Sequence, residues 1–184
     1  MEPFSSQQPG NEARFTELDQ HYMQMAIELA RQAEQQGEVP IGAVLVKDQQ
    51  VIATGYNQSI SLCDPCAHAE VNTLRQAGKT LNNYRLLDTT LYVTLEPCPM
   101  CAGALLHARV TRIVYGAPDL KAGAAGTVID VFNSPAAFHY AQVEGGLLED
   151  ECKSLLQNFF KRRRKEIKQQ KQKAKLTGPQ IPKS

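Results

Sequence analysis

The chain has 184 residues and a formal net charge of +1. This length supports one domain with a full hydrophobic core and a short extension, and a second domain is not expected. No apolar run approaches the roughly 20 residues that cross a bilayer, so the sequence gives no support for a membrane protein. The five cysteines are an odd number and residues 1–10 lack a secretory signal pattern, so we expect a reducing, cytoplasmic environment.

The near-neutral total hides two regions of opposite charge. Residues 1–160 hold ten Lys and Arg against eighteen Asp and Glu, whereas residues 161–184 hold ten against one. Nine of the fifteen residues from Lys161 to Lys175 are basic. Such a block is typical of a solvated helix end or of a nucleic-acid-binding surface, and composition alone leaves both open.

The first part of the chain predicts a helix followed by a hairpin. Residues 1–16 are polar and predict a loose N-terminal arm. We expect Asp19 to cap a first helix that ends at Gly37. Residues 41–46 and 51–56 are rich in β-branched side chains and predict two hairpin strands, with Asn57 at the end of the second.

The rest of the chain predicts alternating helices and strands. His68 is expected to open a second helix, which runs to about residue 77. A strand over 90–95, a helix over 99–107 and a strand over 112–116 predict a right-handed βαβ unit. Further along we predict, in order, a loop over 119–126, a short helix over 127–132, and a long helix from Glu149 to about Lys173 that packs through Leu155, Leu156, Phe159 and Phe160.

Two short motifs supply the side chains of a catalytic metal site. The first is His68-Ala69-Glu70, and the second is Pro97-Cys98-Pro99-Met100-Cys101. A structural zinc site normally has four protein ligands, whereas one imidazole and two thiolates leave the fourth position open for water. An H-x-E motif with a later P-C-x-x-C is the pattern of zinc-dependent deaminases.

The spacing assigns different tasks to these side chains. Cys98 and Cys101 are three residues apart, so both sulfurs face one side of a first helical turn that Pro99 opens. Glu70 lies two residues after His68 and points in another direction, which suits a proton carrier rather than a ligand. Zinc lowers the pKa of bound water from about 15.7 towards about 7, and a carboxylate beside it can take up the released proton.

A second cysteine pair, in Cys63-Asp64-Pro65-Cys66, has the same spacing. It precedes the predicted helix in an Asp-Pro turn, and His68 is already assigned to the other pair. We therefore expect Cys63 and Cys66 to be free thiols, with a second metal site as the alternative.

Several segments together resemble the bacterial tRNA-specific adenosine deaminases, which are TadA-like members of the cytidine deaminase superfamily. The resemblance runs from about Asp19 to Lys173. It rests on residues 38–44 (Glu-Val-Pro-Ile-Gly-Ala-Val), 55–57 (Gly-Tyr-Asn), 67–70 (Ala-His-Ala-Glu), 94–104 (Thr-Leu-Glu-Pro-Cys-Pro-Met-Cys-Ala-Gly-Ala), 119–126 (Asp-Leu-Lys-Ala-Gly-Ala-Ala-Gly) and Phe159-Phe160 before the arginines.

This resemblance implies an α/β protein with a three-layer α/β/α fold and a central mixed sheet, forming a homodimer in the cytoplasm. It implies one zinc ion per subunit and conversion of the wobble adenosine in a tRNA anticodon stem-loop to inosine, with release of ammonia. The residues implied are His68, Cys98 and Cys101 as zinc ligands, Glu70 as proton shuttle, Asn57 and Ala69 as contacts to the flipped base, and Asp119 and Lys121 as contacts to the RNA strand.

One segment departs from the family pattern, and two other functions stay open. Where these enzymes often carry Asn-His-Arg, this chain has Phe138-His139-Tyr140, which leaves any RNA contact made by the missing Asn and Arg in doubt. A deaminase of guanine or another free base shares the zinc motifs, although the basic C-terminal segment weighs against a small neutral substrate. A catalytically idle zinc-containing RNA-binding module is the third possibility, against which Glu70 argues. In all three cases we expect residues 17–160 to form the domain and residues 161–184 a basic extension.

Overall fold

A five-stranded mixed sheet forms the centre of the protein. The computed structural model describes residues 14–176, with side chains as far as residue 173. The elements in chain order are α1 (Glu17–Gln35), β1 (Gly42–Lys47), β2 (Gln50–Tyr56), α2 (Ala69–Thr80), β3 (Thr89–Leu95), α3 (Pro99–Ala108), β4 (Arg112–Ala117), β5 (Gln142–Gly145) and α4 (Glu149–Leu176). The strand order is β2-β1-β3-β4-β5. The predicted N-terminal arm lies mainly outside the described residues, as do the last eight residues.

The helices cover both faces of this sheet. Successive residues of a strand point to opposite faces, so Ala43 and Leu45 of β1 pack with α2 and α3, whereas Val44 and Val46 pack with α1 and α4. The two hydrophobic clusters are separated by the sheet. This is the three-layer α/β/α arrangement with a central mixed sheet, and the predicted fold class is confirmed.

The parallel part of the sheet brings the carboxyl ends of three strands to one edge. β3 pairs with β4 and β4 pairs with β5, both in parallel, while β1 is antiparallel to β2 and β3. The segment β3-α3-β4 is the predicted βαβ unit. As a result, Cys98 at the end of β3 and Asp119 at the end of β4 lie at the same edge.

Asp19 is not the residue that precedes α1. The N-cap is Thr16, whose hydroxyl accepts the backbone N–H of Asp19, while the Asp19 carboxylate accepts the backbone N–H of Thr16. Asp19 therefore occupies the third helical position of a capping box. The prediction that Asp19 is the N-cap was wrong, because a carboxylate can also occupy the third helical position, from which it accepts the backbone N–H of the N-cap residue.

Two further differences concern residues 127–145. No helix forms over 127–132, because the backbone N–H groups of Val128 and Ile129 both donate to the carbonyl of Gly123, and that of Val131 donates to Ala124. The strand β5 was not predicted, since it has only four residues and carries polar side chains at two of them.

The final helix has a packed first half and an exposed second half. Phe159 is buried, but Phe160 is 44% exposed, so its predicted core position was wrong. Beyond Phe160, nearly all described side chains are exposed. With 28 residues at about 1.5 Å each, α4 is about 42 Å long.

Among residues 14–176, no helix combines the length and apolar character that spanning a membrane requires.

Candidate active site

The side chains of His68, Cys98 and Cys101 converge at the edge where β3 ends. His68 and Cys98 are the N-cap residues of α2 and α3, and Cys101 lies buried in the first turn of α3. The Nδ1 atom of His68 lies 3.5 Å from the Sγ atom of Cys101 and 3.7 Å from that of Cys98. Within the described part of the chain, this is the one group of three metal-ligating side chains that the fold assembles.

These separations fit a tetrahedral zinc ion. With Zn–N near 2.0 Å and Zn–S near 2.3 Å, tetrahedral coordination separates nitrogen from sulfur by about 3.5 Å. The observed distances of 3.5 Å and 3.7 Å are close to this value. The imidazole and the two thiols therefore fit three positions of a tetrahedral zinc site, and a fourth position is left for water.

The pKa values of the two thiols in this cluster are shifted in opposite directions. Hydrogen bonds from the Cys101 thiol and from His68 outweigh burial and lower the pKa of Cys98 to about 4. The same contact with Cys98, together with burial, raises the pKa of Cys101 above its ordinary value. One sulfur is therefore a thiolate at neutral pH, which is the form that binds a metal.

Glu70 is a buried carboxyl group beside this cluster. It lies in the first turn of α2 and is only 4% exposed. Burial raises the pKa of Glu70 to about 7, and the negative charge of Cys98 adds to the shift. A carboxyl group with such a pKa can both take up and release a proton near neutral pH.

Asn57 and Ala69 are joined by a hydrogen bond within the same site. The Oδ1 atom of Asn57 accepts the backbone N–H of Ala69 at 2.9 Å, and both residues are buried. This bond connects the end of β2 to the first turn of α2, between His68 and Glu70. A base that accepts a hydrogen bond from the Ala69 amide must share or replace this contact.

Asp119 and Lys121 lie in the loop that follows β4. The Asp119 carboxylate accepts the backbone N–H groups of Lys121 and Ala122, so it is already engaged in shaping the loop. Lys121 is exposed. Its side chain lines a pocket of about 570 Å³ together with Phe160, Lys161 and Arg164 of α4.

Two buried carboxylates near the site were missed from the sequence. Glu38 accepts the backbone N–H groups of Ile60 and Ser61, in the loop that leads to His68. Glu96 accepts those of Asp119, Ala125 and Thr127. The sequence did contain one signal for Glu96, which is its position between a buried strand and Pro97. A carboxylate at such a position indicates that backbone N–H groups of a neighbouring segment donate hydrogen bonds to it.

Cys63 and Cys66 are exposed and are not joined by a disulfide. The Asp64 carboxylate between them accepts the backbone N–H of Cys66 and pairs with Arg75. Neither sulfur belongs to the cluster around His68.

Comparison with known proteins identifies the family. Residues 16–117 match the cytidine and deoxycytidylate deaminase zinc-binding region. A tRNA-specific adenosine deaminase of Haemophilus influenzae is 50% identical over 157 residues, which cover 85% of this chain and 91% of that protein. The alignment therefore spans almost the whole relative.

Solved structures give the same result. A structure from a study of A-to-I editing by tRNA:A34 deaminases at the wobble position of transfer RNA is 46% identical, with a TM-score of 0.73, and the match covers 74% of this chain and 99% of that one. A guanine deaminase from Bacillus subtilis is less similar, at 39% identity and a TM-score of 0.53 over 66% of this chain and 81% of that one.

The fold and the His-Cys-Cys site define a zinc-binding deaminase of the cytidine deaminase class. Within that class, the chain belongs to the family of tRNA-specific adenosine deaminases.

Proposed function

We propose that this chain is a zinc-dependent hydrolase that converts the wobble adenosine of a tRNA anticodon to inosine and releases ammonia. The observation that carries the proposal is the three-ligand cluster of His68, Cys98 and Cys101 with the buried Glu70 beside it. A wholly structural zinc site uses four protein ligands, and a buried carboxylate beside it would be costly without a task. These two points count against an idle RNA-binding module.

In this proposal His68, Cys98 and Cys101 hold one zinc ion per subunit. When bound, the ion would lower the pKa of a water molecule so that hydroxide is available near neutral pH to add to C6 of the adenine ring. Glu70 takes the proton that this water loses and delivers it to the ring nitrogen. Glu70 then takes the proton of the hydroxyl group that has added to the ring and passes it to the amine. The C–N bond breaks as the C=O bond forms, so one water is consumed and one ammonia leaves for each inosine formed.

Asn57 and Ala69 are proposed to hold the flipped base. Asn57 already points its oxygen at the Ala69 amide, which leaves its side-chain NH₂ group to donate to an acceptor on the base. The bond also fixes the first turn of α2. Both residues are therefore placed to orient a base with respect to His68 and Glu70.

The RNA strand is proposed to follow a basic stripe on α4. We define this stripe as the exposed cations that share one side of the helix because they lie three or four residues apart. They are Lys161, Arg164, Lys165, Lys168 and Lys171. Lys161 and Arg164 also line the pocket that Lys121 reaches from the other side. The stripe thus continues onto the Asp119–Lys121 segment, and its charges suit successive phosphates of an anticodon stem.

We also propose a cytoplasmic homodimer, in which residues 17–160 form the catalytic domain and residues 161–184 the RNA-binding extension. A groove of about 760 Å³ between α2 and α3 supports the dimer, since apolar side chains such as Val71, Leu74 and Leu86 line it. Sedimentation equilibrium tests this part, and a monomer at micromolar concentration would refute it.

Two incubations of the zinc-loaded protein test the proposed substrate. One contains an anticodon stem-loop with adenosine at the wobble position, and the other contains free guanine. We expect inosine and an equal amount of ammonia from the stem-loop and no ammonia from guanine. Ammonia from guanine alone would assign the chain to the free-base deaminases, and zinc retention without ammonia from either substrate would support the idle module.

A further inference from the structure

The Glu96 carboxylate closes the loop that carries Asp119 and Lys121. The side chain is buried, with 2% of its surface exposed. Its Oε2 atom accepts the backbone N–H of Asp119 at 3.0 Å. Its Oε1 atom accepts those of Ala125 at 2.9 Å and Thr127 at 3.1 Å. One carboxylate therefore joins the beginning of the loop to its end.

The loop is shaped to admit this carboxylate. A Cβ atom on Gly123 would overlap Oε2 of Glu96, so the absence of a side chain at Gly123 makes room for it. The backbone continues the same connection, since the N–H of Ala124 donates to the carbonyl of Pro97. The loop is thus bound to the segment that delivers Cys98.

Among the side chains that the structure describes, those of residues 14–173, no ion pair involves Glu96, and the hydrogen bonds to its carboxylate come from backbone amides. A buried charge is costly unless several donors compensate it. Three backbone amides of one loop therefore satisfy the oxygens of the buried Glu96 carboxylate, and in return Glu96 fixes the conformation of that loop.

We propose that Glu96 is a positioning residue that holds the loop from Asp119 to Thr127 in the shape required by the RNA strand. This inference rests on the proposed function, because that loop is assigned there to strand contacts. Glu96 does not touch the reacting atoms. Its removal should therefore weaken the binding of the stem-loop and leave the chemical step nearly unchanged.

Glu38 provides a matched comparison, because it is an equally buried carboxylate that binds backbone amides of another loop. Its Oε1 atom accepts both the Ile60 and the Ser61 N–H groups, and its Oε2 atom accepts only the Ile60 N–H a second time. A glutamine at 38 can keep its one oxygen on both amides. A glutamine at 96 cannot, because its NH₂ group must face either Asp119 or the pair Ala125 and Thr127.

The test compares Glu96→Gln with Glu38→Gln in the zinc-loaded, full-length protein. For Glu96→Gln we expect KM for the stem-loop to rise about ten-fold, since a hydrogen bond to a charged group is removed, while kcat stays within about two-fold. Amide exchange at Asp119 should accelerate by about ten-fold or more, with Ala125 and Thr127 remaining protected. Glu38→Gln should change neither quantity by more than about two-fold.

A second variant keeps the test decisive if Glu96→Gln folds poorly. Gly123→Ala leaves the carboxylate intact but crowds its oxygen, and it should raise KM in the same direction. Unchanged exchange at all three amides, or an unchanged KM with a reduced kcat, would overturn the proposal. If the wild-type protein does not deaminate the stem-loop, the proposed function fails, and the exchange measurement alone still decides whether Glu96 holds the loop.

Discussion

The backbone N–H of Ala69 donates to Oδ1 of Asn57 at 2.9 Å, in the interior of the protein. The contact spans twelve residues and joins the end of the β1–β2 hairpin to the first turn of α2. His68 precedes Ala69 and Glu70 follows it. Asn57 therefore fixes the backbone from which both a proposed zinc ligand and the proposed proton carrier extend.

We predict that Asn57→Ala lowers both stability and activity without removing zinc. The Ala69 amide would be left buried and unpaired, which should cost about 1–3 kcal/mol in the free energy of unfolding, measured with urea. Loss of the proposed hydrogen bond to the base should lower kcat/KM for the stem-loop by about 10-fold to 100-fold.

Ser134→Ala is the control for this prediction. The Ser134 hydroxyl accepts the backbone N–H of Ala136 at an exposed site, so a bond to a backbone amide is removed where water can replace it. We expect a change below about 0.5 kcal/mol. If Asn57→Ala and Ser134→Ala are equally stable and active, Asn57 is only a turn residue.

The two cysteine pairs should respond differently to substitution. Cys98→Ala or Cys101→Ala removes one of three proposed ligands, so we expect zinc and activity to be lost together. The double variant Cys63→Ser/Cys66→Ser should keep about one zinc per chain, because these exposed thiols lie outside the cluster. Metal analysis of the purified proteins measures both, and metal loss in the double variant would assign Cys63 or Cys66 a ligand role.

The Asp19 carboxylate should make the stability of the protein depend on pH. Burial alone would raise the pKa of Asp19, but hydrogen bonds from Arg112, Tyr92 and Thr16 outweigh it and hold this pKa far below its usual range. In the unfolded chain the pKa of Asp19 returns to about 3.9. The stabilisation is therefore fully present above about pH 5 and is lost progressively as the pH falls below about 4.

The variant Asp19→Asn tests this dependence. Its one oxygen can still accept from Arg112 and Tyr92 at the Oδ1 position, but the charge is lost and an NH₂ group faces the Thr16 N–H that Oδ2 accepts. We therefore expect it to lower the free energy of unfolding at pH 7 by about 2 kcal/mol. The difference from wild type should shrink as the pH falls towards about 3. A constant difference across this pH range would show that the effect is not electrostatic.

The basic stripe on α4 can be tested by its salt dependence. Arg164→Gln/Lys168→Gln removes two charges from the stripe, whereas Arg162→Gln/Arg163→Gln removes two that already pair with Glu34 and Glu166. If the stripe binds phosphates, the first variant should reduce the slope of log Kd against log salt by about 0.7–0.9 for each phosphate that is no longer neutralised. Equal slopes for both variants would make the stripe a solvated helix end.

The elements that could be predicted from the sequence are those with a strong local pattern. The βαβ unit around Cys98 follows from an apolar strand, a proline at a helix start and a second apolar strand. The short edge strand β5 has no such pattern, because neighbouring residues of β4 determine its pairing. The exposure of Phe160 also depends on how far the sheet extends beneath α4, which periodicity along the helix does not encode.

The residues of the candidate site also fall into a group that the sequence predicts and a group that it does not. His68, Cys98 and Cys101 were predictable because metal coordination restricts residue type and spacing together. The hydrogen bonds of Glu96 were not, because backbone amides donate to it and any residue supplies those. Only the folded loop reveals that three of them point at one carboxylate.

The central claim is that Glu70 moves protons for the deamination of one particular adenosine. We would incubate the zinc-loaded protein with stem-loops that carry adenosine at the wobble position or at the adjacent position, and locate inosine by sequencing. We predict inosine at the wobble position only, and a rate for Glu70→Gln that is lower by about 10²-fold to 10⁴-fold at an unchanged zinc content. Near-normal turnover by Glu70→Gln, or no inosine at the wobble position with the wild-type protein, would contradict this claim.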